Sequence, residues 1–281
     1  MSIGNPLANR FEEYNELAQY WTDGKFVYYR GYVIRGADIE TFEQYPGAWA
    51  KDKKYCYSGK SRLNDSDSSS FTVLSFAYAK DVKNVWTMGG CIASADATTF
   101  AACDTGKYSL GQKFKRLSSG EYVQHELFVP YGFAKDKDAV YYYNFDKNRT
   151  VEKAISDSFV SLKDGYFGYD ESAVFCGCTA LLKAKPQTWK RLRDGYFYSR
   201  DCGRIYYLNR LIQGADAESF EVVVVPDIYQ KHYQYARDKN YGYINDDVIG
   251  LSEFEKRIQD DLDYDAQCRM KLGISGNVKL M

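Results

Sequence analysis

Hydrophobic positions along the chain fall in short clusters split by polar turns. Segments such as "WAK", "YAK", "FAK" and "YAR" set an aromatic and a small residue before a cation. An Asp and one or two polar residues follow, and then a β-branched or aromatic run such as "FVYY", "AVYYY" or "RIYYL". This pattern predicts two short strands joined by a tight turn, with the Asp carboxylate capping its own backbone. The turn acids are Asp23, Asp52, Asp81, Asp136, Asp170, Asp201 and Asp238.

A second marker follows each hairpin. The phrase "RGADIETFEQY" (Arg35 to Tyr45) returns as "QGADAESFEVV" (Gln213 to Val223). In it Gly36 or Gly214 permits a positive φ, Asp38 or Asp216 can cap a single helical turn, and the Phe is expected to enter the core. Alignment on that Phe gives Phe42, Phe71, Phe100, Phe128, Phe159, Trp189, Phe220 and Phe254, with steps of 29, 29, 28, 31, 30, 31 and 34 residues. In five copies the aromatic trails its Asp by 19 residues. The doubled gap between Asp81 and Asp136 is expected to hold a decayed copy, with Ser109 in place of the Asp and Phe128 as its anchor.

A large aromatic at a fixed interval over the whole chain marks a repeat architecture. One hairpin of this size cannot bury its apolar face, whereas stacked neighbours can. The expected fold is mainly β: about eight β-hairpin repeats of ~30 residues in an open or curved array. The short steps also allow a propeller-like closure. Helices are expected to cap both ends. "NRFEEYNELAQYW" offers Asn9 as a cap with Phe11, Tyr14, Leu17 and Ala18 on one side; "SEFEKRIQDDL" offers a capping box from Ser252 to Glu255, followed by Ile258 and Leu262. The expected organisation is a helix over 1–19, the β-repeat array over 20–250, and a helix with tail over 251–281.

Composition sharpens this picture. Of 281 residues 27 are Tyr, and aromatics make up 17%, which suits half-buried β-structure. A formal charge of −1 gives no footprint for nucleic acid or an anionic membrane surface. No apolar run reaches the ~20 residues of a membrane span. Seven cysteines at irregular spacings do not form a secreted disulfide framework, so a reduced, cytoplasmic setting is expected.

The segments "YARDKNYGY" (Tyr235 to Tyr243), "FAKDKDAVYYY" (Phe133 to Tyr143) and "WAKDKKYCY" (Trp49 to Tyr57), with the two "GAD" phrases, resemble the DKNYY repeat family of bacterial proteins. The resemblance covers nearly the whole chain, with departures at Ser109 and across 146–156. It implies no established enzymatic chemistry. Members often look exported or lipid-anchored, and some look like the protective partner encoded beside a secreted toxin. Without an export signal, a cytoplasmic target is implied here.

Catalytic constellations are sparse. His125 and His232 lie among strand-like residues, without the orienting acid that a Ser-His-Asp or Cys-His system needs. Cys176 and Cys178 can chelate a soft metal, but no second pair stands in register; buried thiols acting as small hydrophobes explain the cysteines more simply. The Asp238 loop alternates Asp, Asn and Gly as a calcium loop does, yet has Ile249 where the bidentate Glu belongs. No cofactor is expected.

Two classes of function follow. In the first, a noncatalytic scaffold binds one protein partner through exposed Tyr; with the resemblance, this becomes an immunity protein that neutralises a bacterial toxin by direct binding. Its candidate contacts are Tyr141, Tyr142, Tyr143, Asn144, Phe145 and Arg149 in the lengthened unit, and Tyr229, His232 and Tyr233 before the last unit. In the second class, an enzyme or small-ligand protein acts on a glycan or a modified protein at a site between repeats. A third, plainer reading is that the Tyr enrichment fills strands and no face is special.

Overall fold

The structure, a computed structural model, describes residues 19–116, 119–120, 122–145, 147–226 and 233–271. The helix expected over 1–19 and the tail after 271 lie outside these residues, Gln19 excepted.

Among the described residues the chain folds into seven small antiparallel sheets, whose strands follow one another in chain order except in the fourth, and no sheet closes on itself. The second sheet shows the plan: Glu43–Tyr45, Trp49–Lys51, Cys56–Ser58 and Ser61–Arg62, with Gln44 opposite Ala50, Ala50 opposite Tyr57, and Tyr57 opposite Arg62. Except in the first sheet, the strand before the turn Asp is the second of its sheet, and the aromatic run after it is the third. A corner then leads to the next sheet. At the first corner Gly36 has φ +76°, and Asp38 caps the 3-10 turn Ile39–Thr41 by accepting from the Thr41 amide. Gly214 repeats this with φ +79°, and Asp216 accepts from the Ser219 amide.

The chain divides into two compact units, Met1–Tyr108 with Val129–Asp170, and Ser109–Phe128 with Glu171–Met281. Within the first unit each core repeats one recipe. Tyr20, Val27 and Ile34 of the first sheet meet Phe42, then Ala50 and Tyr57 of the second. Trp49, Cys56 and Leu63 meet Phe71, then Ala79 and Trp86. Tyr78, Val85 and Ile92 meet Phe100, then Ala134 and Tyr141. The second unit follows suit, with Tyr198, Ile205 and Ile212 meeting Phe220, Ala236 and Tyr243. Each Phe lies between an aromatic on either side: Phe42 is 5.5 Å from the Tyr20 ring and 5.6 Å from that of Tyr57. Burying such a ring contributes roughly 1.5–3 kcal/mol.

The residue beneath each Phe is small because the ring rests on it. Where Gly168 takes this place, an added Cβ would come 2.4 Å from the Phe159 ring. The first sheet, which has three strands, breaks the rule instructively. Trp21 stands in the small-residue position and stacks on Tyr28 at 4.0 Å, so its indole does the covering that an incoming Phe does elsewhere. At the other end the helix Leu251–Lys271 supplies Phe254, 1% exposed, as the last anchor. The helix begins at Leu251, so Ser252 lies inside it rather than capping it.

One expectation is corrected. The long interval between Asp81 and Asp136 holds no decayed copy. The first strand of the fourth sheet, Ala101–Ala102, runs on into a hairpin of Lys107–Arg116 and Tyr122–Lys135, whose far end serves as the second strand of that sheet. Ser109 belongs to this hairpin, where it donates to Glu126, and half-buried Phe128 is part of the hairpin rather than an anchor. The period is broken by insertion, which leaves seven sheets and seven anchors.

Candidate functional site

The recurring acids come first, because repeated carboxylates are the obvious chemical groups. Asp238 Oδ1 accepts from the amides of Asn240 (2.7 Å) and Tyr241 (2.8 Å) and so closes its own turn. Its Oδ2 accepts from the Asp216 amide at the preceding corner and from the Tyr243 hydroxyl, both at 2.7 Å. Lys239 Nζ reaches Asp216 Oδ2 at 2.8 Å, and the Lys239 amide donates to Ser219 Oγ at 3.0 Å. Asp52 and Asp136 make the same clasp to Asp38 and Asp96, with Tyr57 and Tyr141 as hydroxyl donors. Lys53 and Lys137 then pair with the corner acids. The hydrogen bonds from Lys137 and Lys239 hold the Asp96 and Asp216 carboxyls down to about 2. These acids are committed to joining one sheet to the next.

The opposite ends of the sheets, where first strands turn into second strands, are built differently. In the first unit this end carries a concavity of about 400 Å³. It is lined by buried Tyr20, Gly47 and Ala48, by half-buried Gln19, Gln44, Tyr45 and Phe76, and by exposed Pro46. "PGAW" makes the turn: Gly47 has φ +84° and Ala48 φ +67°. A Cβ on Gly47 would lie 2.2 Å from the Phe76 carbonyl oxygen, so only glycine allows this approach. A left-handed alanine is strained by about 1–2 kcal/mol, and its surroundings hold it there. The Ala48 carbonyl accepts from the Tyr20 hydroxyl (2.5 Å) and the Gly59 amide (2.8 Å), while Trp49 Nε1 donates to the Phe76 carbonyl at 3.2 Å. The cavity is therefore pre-formed, largely apolar, and fixed by backbone hydrogen bonds. Tyr45 donates to Glu43 at 2.5 Å; burial and that carboxylate push the phenol upward, which keeps it neutral.

The turns between third and fourth strands adjoin this cavity. The Arg30 amide donates to the Gln19 carbonyl at 2.8 Å, and the Tyr20 hydroxyl also reaches the Gly59 carbonyl at 3.1 Å. Two cations stand beside them on aromatic faces: Lys60 Nζ is 4.5 Å from the Tyr32 ring centroid and the Arg30 guanidinium 5.3 Å from that of Tyr29. The Arg62 guanidinium, 3.4 Å from Tyr55, lies at the other end of its sheet, beside the Asp52 turn and Gly36.

The model of the DKNYY family matches residues 49–210 and 198–259. The chain belongs to the DKNYY family. No curated protein and no solved structure compared with it matches. The DKNYY signature is thereby given its physical meaning: Asp closes the turn and holds the corner, and Lys pairs with the corner acid; the hydroxyl that completes the carboxylate comes from the Tyr five residues after the Asp, just beyond the signature.

The predicted contacts fare unevenly against this DKNYY architecture. Tyr141, Tyr142 and Tyr143 are 1%, 4% and 1% exposed, so they are not a gripping surface. Tyr141 donates to Asp136, Tyr142 to the Gly165 carbonyl and Tyr143 to the Phe145 carbonyl, which corrects the expectation for all three. Asn144 is half-buried, while Phe145 and Arg149 are exposed at the same hairpin. Tyr233 is exposed; Tyr229 and His232 lie outside the described residues. The chain has 27 tyrosines, and 11 of those among the described residues are buried, so the enrichment serves the core and the clasps first. Cys176 and Cys178 are both half-buried, and among the described residues no three His, Cys, Asp or Glu side chains gather as a metal site. The Asp238 loop has its full turn role, which replaces the calcium reading. The cavity was missed in the sequence; its one signal was "PG" ahead of Trp49, a turn dipeptide found in no other unit.

Proposed function

We propose that the protein is a noncatalytic binding scaffold that holds one protein partner at the Gln19–Phe76 cavity. The observation that carries this is the cavity itself, pre-formed on a strained turn and sized for a large apolar side chain of a partner. Recurring acids, the natural candidates for catalysis, are engaged in the clasps between sheets. Interfaces concentrate their energy where such an anchor enters a desolvated pocket. The more specific reading, an immunity protein that neutralises a toxin by covering it in the cytoplasm, draws its support from the resemblance of some family members to toxin partners.

A second reading rests on the same volume, which lies within the range of small-molecule sites. One experiment separates the two. The protein is co-expressed with the product of the neighbouring gene, and the purified complex is mapped by hydrogen exchange. Protection of residues 44–48 and of Phe76, lost together with the complex in Phe76→Asp, supports the scaffold reading. A footprint elsewhere, or turnover of a small molecule that Phe76→Asp abolishes, overturns it.

A further inference from the structure

The rim of the cavity says more about the partner than the cavity does. Lys53, Lys137 and Lys239 each pair with a corner acid, Asp38, Asp96 and Asp216 respectively. Arg30 and Lys60, at the cavity's end of the sheets, are exposed, and neither pairs with a carboxylate among the described residues. Each instead lies on a tyrosine face, on Tyr29 and Tyr32 respectively. A cation held over a ring keeps its charge, and its position is narrowed before any partner arrives. Backbone contacts tie both turns to the cavity: Arg30 to Gln19, and Gly59, beside Lys60, to Ala48. An apolar hole and two unpaired cations thus share one end of the first two sheets, in a chain whose overall charge is −1.

We infer that the partner presents an acidic segment, with an apolar side chain for the cavity and carboxylates for Arg30 and Lys60. This rests on the binding reading above and specifies the chemistry of what is bound. A protein is favoured over a nucleic acid because the chain as a whole carries no basic excess to release counterions from a phosphate backbone. It is favoured over a lipid surface because the cations stand beside a concavity, which a flat bilayer does not enter.

The test uses two dye-labelled dodecapeptides with the same central Leu-Phe pair, one flanked by glutamates and one by glutamines. Each is titrated by fluorescence anisotropy into the full chain at about 50 mM and about 300 mM salt, which spans a large change in screening. The inference expects the acidic peptide to bind at least ~tenfold tighter than the neutral one at low salt, and to lose that advantage at high salt. In the variant Arg30→Gln/Lys60→Gln the two peptides bind alike, whereas Lys190→Gln, an exposed cation on another sheet, changes nothing. Circular dichroism confirms that both variants are folded. Equal binding of the two peptides to the native chain overturns the acidic inference and leaves the cavity reading standing. Binding of neither peptide overturns the inference, and the complex mapped above then judges the cavity separately. Tighter binding of a DNA dodecamer or of phosphatidylserine vesicles assigns the rim to another class of partner. Binding of the acidic peptide only after Glu12→Gln/Glu13→Gln/Glu16→Gln assigns it to the chain's own N-terminal segment.

Discussion

The Tyr243 hydroxyl donates to Asp238 Oδ2 at 2.7 Å, and the same oxygen accepts the amide of Asp216 from the preceding corner. One carboxylate thus ties a strand, a turn and a corner together with four donors. Its own side chain is only 3% exposed, so the donors have little access to water if it is lost. Tyr243→Phe removes one charge-assisted bond and is expected to cost roughly 1.5–3 kcal/mol. Asp238→Ala strands all four donors and is expected to cost more. Asp23 closes its turn in the same way but in full solvent, so Asp23→Ala should cost least of the three. Urea unfolding of the three variants gives the ranking; a loss for Asp23→Ala equal to that for Asp238→Ala would sink the clasp account.

Gly242 is the small residue under the final anchor. A Cβ there would lie 2.2 Å from Phe254 Cγ, well inside contact distance. Gly242→Ala must therefore lift the start of the C-terminal helix off its strand, and overpacking of this kind costs about 1–3 kcal/mol. The loss should be local. Hydrogen exchange is expected to quicken across 251–271 while the first three sheets keep their protection. Uniform quickening would mean that the helix is not a separable cap.

Much of the fold was legible because its parts recur. The Asp turn, the left-handed glycines at Gly36 and Gly214, and the aromatic anchor all obey local rules that a sequence displays. The hairpin of Lys107–Arg116 and Tyr122–Lys135 was misread because insertion and decay lengthen an interval alike, and Phe128 fell by chance near the expected step. Burial of Tyr141 to Tyr143 was not legible either. Alternation predicts one buried face, whereas here sheets pack on both faces and the hydroxyls end on the Asp136 carboxylate, on the nearby Phe145 carbonyl and on the distant Gly165 carbonyl. The cavity depends on Gly47 meeting the carbonyl of Phe76, a contact between turns of different sheets that no local pattern announces.

Acid should reveal two opposed groups of carboxyls. Burial pushes the Asp238 and Asp136 carboxyls up, but the hydrogen bonds they accept outweigh it, so both lie below the ordinary value. Asp216 and Asp96, bonded to Lys239 and Lys137, lie at about 2. Such groups stabilise the fold fully above their unfolded value of about 3.9, and the contribution is lost as pH falls through their folded values. Asp104 is shifted the other way: burial raises it even though it accepts from the Gly106 and Phe133 amides and the Ser161 hydroxyl. Ionised Asp104 therefore costs stability at neutral pH, and the cost is relieved as pH falls through its folded value. The urea midpoint should rise slightly between neutrality and about pH 4, then drop steeply towards about pH 2. Asp104→Asn should abolish the rise and keep the drop; a rise that survives in this variant would assign it to another group.

Ser199 occupies the position that Ala50, Ala79, Ala134 and Ala236 hold in other sheets. It is 0% exposed, and its hydroxyl has no hydrogen-bond partner among the described residues. Nothing in the repeat requires a hydroxyl there, since the position serves only as a seat for an anchor ring. Burying an unpaired hydroxyl costs about 1–3 kcal/mol, and alanine removes it without leaving a hole larger than one oxygen atom. Ser199→Ala is therefore expected to stabilise the protein by about 1 kcal/mol, seen as a higher urea midpoint with an unchanged slope. A loss of stability would show that the hydroxyl has a partner in solution, and that the serine is there to hold it.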